Sequence, residues 1–168
     1  MNTLSIDIRR AEPADAGAIA AVHESAWRGA YSGLIPHRAL NAMIQRRGDS
    51  WWERAIGRQA SVLVIDLGGD IVGYATLGRN RARELDQGGE IYELYIRPEY
   101  QGIGLGTRLF AAARERLSAH GLDGLVVWAL EDNGPAVTFY EGAGGRDVAE
   151  GIETFDGRAL RKIAYVWN

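Results

Sequence analysis

The stretch Gln101-Gly102-Ile103-Gly104-Leu105-Gly106-Thr107 constrains this chain most. It follows a strand-forming run, Glu90 to Ile96, stopped by Arg97-Pro98. It opens a segment in which Leu105, Leu109, Ala112, Ala113 and Arg116 recur at helical spacing as far as His120-Gly121. The next apolar run, Leu125 to Leu130, must then return beside the first strand by a right-handed parallel crossover. Three glycines at alternate positions remove the β-carbons that would keep an anion from the backbone N–H groups, and a helix N-terminus adds the favourable end of its dipole. The stretch reads as a pyrophosphate cradle, against the plainer reading of a tight connection that needs positive φ. The dinucleotide fingerprint G-x-G-x-x-G fails, since its third glycine would fall on Thr107 or Leu109. A Walker-type loop fails too, because it ends in Gly-Lys-Ser/Thr and Lys162 is the only lysine.

Other segments complete an α/β order. Leu4, Ile6 and Ile8 alternate with polar neighbours as a half-buried strand ending at Arg9-Arg10. Pro13 suits a first helical turn, and Ile19, Val22, His23, Ala26, Trp27 and Ala30 form one apolar stripe. Helical stretches follow over about 37–47 and around Trp51-Trp52 to Gly57. Ser61 to Asp66 and Ile71 to Leu77 are strands joined by a Gly68-Gly69-Asp70 hairpin turn, and 78–89 is a loop. Pro135 begins a helix ending at Gly142, and strands over about 146–154 and 158–167 close the sequence. The order predicts a mixed, mostly antiparallel sheet of about six to seven strands flanked by helices, with no linker or repeat, and one domain over 1–168.

Composition removes several functions. The chain has 168 residues, 22 of them glycine, and no cysteine, which excludes a disulfide scaffold, a thiolate-held cluster and a cysteine nucleophile. Net charge is −3, without a basic run interleaved with aromatics, so nucleic acid is not the expected partner. The acidic surplus falls in 59–168 and suits either a cationic acceptor or a solvated acidic surface. Three scattered histidines without metal-site spacing predict no metal. No apolar leader or membrane-length stretch is present, which predicts a cytoplasmic protein without a membrane partner.

Gln101-x-x-Gly104-x-Gly106 after Leu94-Tyr95-Ile96-Arg97-Pro98 resembles the coenzyme A signature of the GNAT superfamily of N-acetyltransferases. Asn133-Gly134-Pro135 through Phe139-Tyr140-Glu141-Gly142-Ala143-Gly144-Gly145 is similar to that family's later segment, where an Asn opens a helix and an aromatic-Tyr pair ends it. The order of elements fits over essentially the whole chain. Ala26-Trp27-Arg28-Gly29-Ala30-Tyr31 to Pro36 more loosely resembles a bacterial subgroup, some of whose members acetylate polyamines or other small amines.

The resemblance implies acetyl-CoA as acyl donor, a small amine acceptor, and roles for particular residues. Gln101, Gly102, Ile103, Gly104, Leu105, Gly106 and Thr107 would hold the pyrophosphate. The backbone of Leu94, Tyr95 and Ile96 would pair with the pantetheine arm, one N–H stabilising the thioester oxygen, on a strand that splays from 125–130. Tyr140 would be the general acid for the departing thiolate, or an aromatic packed at a helix end. Asn133 would bond the pantetheine arm, cap its helix, or do both. Glu90 or Glu93 would act as base, directly or through water; strict alternation places them on opposite faces, Glu93 with Tyr95. His23 reads as a packed histidine. Trp27, Tyr31, Trp51 and Trp52 read as core or as walls of an acceptor pocket assembled from 31–36, 78–89 and 150–157. Without cysteine, transfer must be direct attack in a ternary complex. Homodimers are common in the superfamily, and that expectation is carried with no interface identified. A protein N-terminal or lysine acetyltransferase and a non-catalytic acyl-CoA-binding domain are the alternatives.

Overall fold

The computed structural model describes residues 5–58 and 61–168, so Leu4 of the first strand lies outside the described residues. The elements run β1 (Ile6–Arg10), a 3-10 turn at Pro13–Asp15, α1 (Ala16–Tyr31), α2 (His37–Arg46), α3 (Asp49–Gly57), β2 (Ser61–Leu67) and β3 (Asp70–Arg79). They continue through β4 (Gly89–Ile96), α4 (Leu105–Ala119), β5 (Leu125–Leu130), α5 (Gly134–Gly142), β6 (Arg146–Phe155) and β7 (Arg158–Trp167). The order matches the one expected from the sequence. Seven strands lie side by side as β1-β2-β3-β4-β5-β7-β6, with β4–β5 parallel and the other neighbours antiparallel.

Each face of the sheet has its own apolar layer. Leu109, Ala113 and Leu117 recur at helical spacing along α4 and pack on Ile65, Val72, Ala75, Ile91, Leu125 and Val127. On the opposite face Ile19 and Val22 of α1 and Trp52 of α3 cover Val62, Val64, Ile71 and Tyr74. Burying each Leu, Ile or Val among them stabilises the fold by about 1.5–3 kcal/mol, which fixes which face of each strand looks at which helix.

Strict alternation fails in one strand. Partners across β3–β4 step from Thr76↔Glu93 to Leu77↔Ile91, so Tyr92 is an extra residue in a β-bulge. Ile91 and Leu94 both pack in the α4 layer. Tyr92 and Glu93 therefore sit consecutively on the α1 side, where Tyr92 borders a cavity with Trp27 and Tyr31 and Glu93 bonds Arg47 and Thr76. Glu90 borders the same cavity. The expectation that Glu90 and Glu93 lie on opposite faces is overturned: the bulge restores both to one side.

Candidate active site

The parallel pairing of β4 and β5 covers Gly89↔Leu125, Glu90↔Val126 and Ile91↔Val127, and then stops. Beyond it β4 stays paired with β3 to Ile96, and β5 stays paired with β7 to Leu130. A wedge therefore opens between 92–96 and 128–130. Backbone groups on that edge of β4 face no strand, which suits the amides of a linear ligand. Leu94 packs in the α4 layer, Ile96 is buried there, and the Tyr95 ring points to the α1 side. What these three can offer a ligand in the wedge is backbone.

At the end of β4 stands the glycine loop. Gly104 is the N-cap of α4 with φ 89°, a left-handed conformation that side chains other than glycine resist, and no side chain caps this helix N-terminus. A β-carbon on Gly104 would meet nothing within 4 Å, so the loop floor is open. Gly106 serves differently. Its β-carbon would lie 3.4 Å from Phe139 Cε2, so the glycine lets α5 approach the start of α4. Gln101 Nε2 donates to the Ile96 carbonyl at 2.9 Å and ties the loop to β4. Gly102, Ile103 and Thr107 are exposed, Ile103 at 67%, whereas the Leu105 side chain belongs to the core. Bare glycines, uncapped N–H groups and a positive helix end fit a pyrophosphate.

Across the wedge, α5 starts four residues after β5. Asn133 is its N-cap, accepting a hydrogen bond from the Ala136 N–H at 3.3 Å. The capping role expected of Asn133 is present. Tyr31 and Tyr95 share a hydrogen bond of 2.7 Å between their hydroxyls. Tyr140 is buried among Phe110, Phe139, Tyr165 and Trp167. Burial, and secondarily the nearby Tyr31, hold its phenol above the usual tyrosine value, so it stays protonated at neutral pH.

The α1 side of the wedge holds a cavity of about 230 Å³. Trp27, Tyr31, Ile35, Trp128 and Phe155 form much of its wall, and Glu90 opens onto it. Glu90 accepts from the Arg81 backbone N–H at 3.0 Å and pairs with the Arg81 guanidinium at 2.9 Å. Glu93 is held by Arg47 at 2.5 Å and by the Thr76 hydroxyl at 3.2 Å, outside the cavity lining. Of the four aromatics weighed as pocket walls, Trp27 and Tyr31 line the cavity. Trp52 is fully buried under α1, and Trp51 packs beneath the Arg47 guanidinium. His23 is buried against Trp27, its pKa pushed down to about 4 by burial and then by Arg47, so it is neutral.

Sequence reasoning missed Trp128 and Lys162, which reach the cavity from β5 and β7 beside Glu153 of the expected 150–157 segment on β6. No local pattern marks Trp128 or Lys162, because strands separated along the chain bring them together. The bulge did leave a sign: the core-facing residues Ile91, Leu94 and Ile96 are spaced three and then two apart. Among the described residues no His, Asp or Glu cluster is placed to hold a metal, and no helix is long and apolar enough to cross a membrane.

Residues 20–144 match the acetyltransferase (GNAT) family. The uncharacterized N-acetyltransferase YuaI of Bacillus subtilis is 31% identical over 96% of this chain and 92% of its own length. A mycothiol acetyltransferase of Streptomyces bingchenggensis is 30% identical over 70% of the chain, which spans only 37% of that longer protein. The PaiA N-acetyltransferase of Thermoplasma acidophilum, solved with coenzyme A, superposes with TM-score 0.76 at 18% identity, covering 94% of this chain and 98% of that one. YncA of Salmonella typhimurium, solved with acetyl-CoA, gives 0.70 at 22%, covering 96% and 92%. A splayed parallel pair, a glycine loop on a helix N-terminus and these matches along most of the sequence lead to one conclusion: the chain belongs to the GNAT family of acetyltransferases.

Proposed function

We propose that this acetyltransferase moves the acetyl group of acetyl-CoA to the primary amine of a small molecule by direct attack with both substrates bound, and that residues 1–168 act as one domain. The observation that carries this reading is the wedge between β4 and β5, with the glycine loop at its end and a walled cavity on its α1 side. Acetyl-CoA supplies the acyl group as an activated thioester. The N–H groups of 102–107 bind its pyrophosphate, and the free edge of β4 at Leu94, Tyr95 and Ile96 aligns the pantetheine arm and directs an N–H at the thioester oxygen. The amine nitrogen bonds to the acetyl carbon, the C–S bond breaks, the sulfur gains a proton and the amine loses one.

Tyr140, protonated at neutral pH, donates to the sulfur. Glu90, open to the cavity, receives the amine proton through water, while Glu93 is a positioning residue that fixes Arg47. Asn133 holds the start of α5 and, through it, Tyr140. Absence of cysteine from the sequence leaves no thiol to carry the acetyl group, which supports direct attack. A cavity of about 230 Å³ with aromatic walls supports a small acceptor over an extended peptide.

Calorimetric titration with acetyl-CoA, followed by coenzyme A release with a panel of amines and peptides, tests this reading. Micromolar binding and turnover of a small amine are expected. Binding without turnover of any amine would make the chain an acyl-CoA-binding domain, and turnover of peptides alone would make it a protein acetyltransferase.

A further inference from the structure

The charges around the cavity narrow the acceptor. Three carboxylates lie there or just beside it on the α1 side: Glu90, Glu93 and Glu153. Each already has a cation from this chain, Arg81 at 2.9 Å, Arg47 at 2.5 Å and Lys162 at 3.0 Å respectively. The site thus offers a polyamine no unpaired carboxylate among these three, and sets three fixed cations against it. The acidic surplus of the later sequence does not reach the cavity as net charge.

Lys162 differs from the two arginines in what it holds. Glu90 is buried and the Glu93 side chain is only 11% exposed, whereas the side chain of Glu153 is 47% exposed. An ion pair with so open a carboxylate is screened by water and contributes little, so Glu153 can leave for water at little cost. The ammonium of Lys162 is held in place. It lies 4.8 Å from the centre of the Trp128 ring, and its stem runs over Gly151, where a β-carbon would come within 2.9 Å of Lys162 Cε. The result is a fixed cation with an exchangeable counter-ion. Lys162 pairs in register with Leu130, the last residue of β5, so its backbone stands roughly one strand spacing, ~4.8 Å, from the β5 rim of the wedge. Ile35 and Phe155 supply apolar wall in the same cavity.

We propose that the acceptor is a small amine that also carries a carboxylate on an apolar body, the chemistry of an apolar amino acid, and that Lys162 binds the carboxylate in exchange for Glu153. This rests on the N-acetyltransferase reading and specifies its acceptor. Coenzyme A release is to be compared for L-leucine and L-leucinamide, for L-phenylalanine and its amide, and for spermidine. Each amide has the more readily deprotonated amine, so preference for the acid reports the carboxylate alone.

The acids are expected to exceed their amides at least tenfold in kcat/KM, and spermidine to fall below both. Lys162→Met keeps the stem over Trp128 and should lower the acid-to-amide ratio about tenfold, chiefly through KM. Glu153→Gln frees the ammonium and should raise the ratio. Thermal unfolding of both variants shows whether either change is a folding defect, and in that event the wild-type ratios decide. Preference for amides or spermidine, an equal loss on acid and amide in Lys162→Met, or turnover of no member of the panel overturns the proposal. Calorimetry with acetyl-CoA separates the two levels: binding retained leaves the donor site standing, and no binding sinks the acetyltransferase reading itself.

Discussion

The donor side of the wedge, made by the end of β4 and the glycine loop, presents backbone, whereas the α1 side presents aromatic rings and paired charges. In the proposed reading the recognising atoms on the donor side are N–H groups whose directions follow from φ at Gly104 and from the start of α4. On the acceptor side they are side chains from α1, β4, β5, β6 and β7 that meet only because the sheet orders its strands as β4-β5-β7-β6. A thioester cofactor common to a family can be held by backbone. A particular amine must be read by side chains, and these can change without disturbing the fold.

Substitutions can break this contrast, beginning with the strongest. Tyr140→Phe, which keeps the ring in its packed site, should lower kcat on the order of a hundredfold while leaving acetyl-CoA affinity within about twofold. Rapid-mix turnover and calorimetry check both halves, and an unchanged kcat removes Tyr140 from the acid role. Glu90→Gln comes next, with a loss in kcat/KM on the order of thirtyfold, below that of a base in direct contact. Glu93→Gln should instead lower Tm more than rate, since it leaves Arg47 without its carboxylate. Equal rate losses in the two variants would erase the distinction between them.

Gly104→Val tests the donor side. Forcing a branched residue to φ 89° costs roughly 1–3 kcal/mol and fills the open floor of the loop, so acetyl-CoA should bind about tenfold more weakly at an unaltered amine KM. The smallest effect concerns stability. His23 titrates at about 4 in the fold against about 6.5 when unfolded, so below pH 6.5 the unfolded chain binds a proton that the native chain refuses. Stability is full above pH 6.5 and should fall by about 1 kcal/mol between pH 6 and pH 5. Urea unfolding across that range measures it, and His23→Leu should flatten this part of the profile.

The fold was legible because its signals are local. Apolar periodicity marked α1 and α4, glycine turns marked the β2–β3 hairpin, and the strand–loop–helix–strand order at 90–130 required the parallel pair. Much of the candidate donor site is readable in the same way, since Gln101 to Thr107 is one continuous segment. The acceptor site was legible in part. Trp27 and Tyr31 follow α1 into the cavity and Glu153 lies in the expected 150–157 segment, whereas Trp128 and Lys162 carry no mark that separates them from other strand residues. Glu90 and Glu93 were named but set on opposite faces, because alternation knows nothing of a bulge that needs β3 as its partner.

By itself the sequence determined the α/β order, the glycine loop before α4, and the absence of a cysteine thiol that could carry an acyl group. Each depends on residues adjacent in the chain or on a residue type that is missing, and short-range sterics and chemistry decide such things. The tertiary structure alone decided that β4 and β5 part after three pairs, that both glutamates share a side, and that Lys162 pairs with the half-exposed Glu153 at the cavity. Those outcomes depend on which strands lie next to each other and how they twist apart, and that is settled when the helices bury both faces of the sheet.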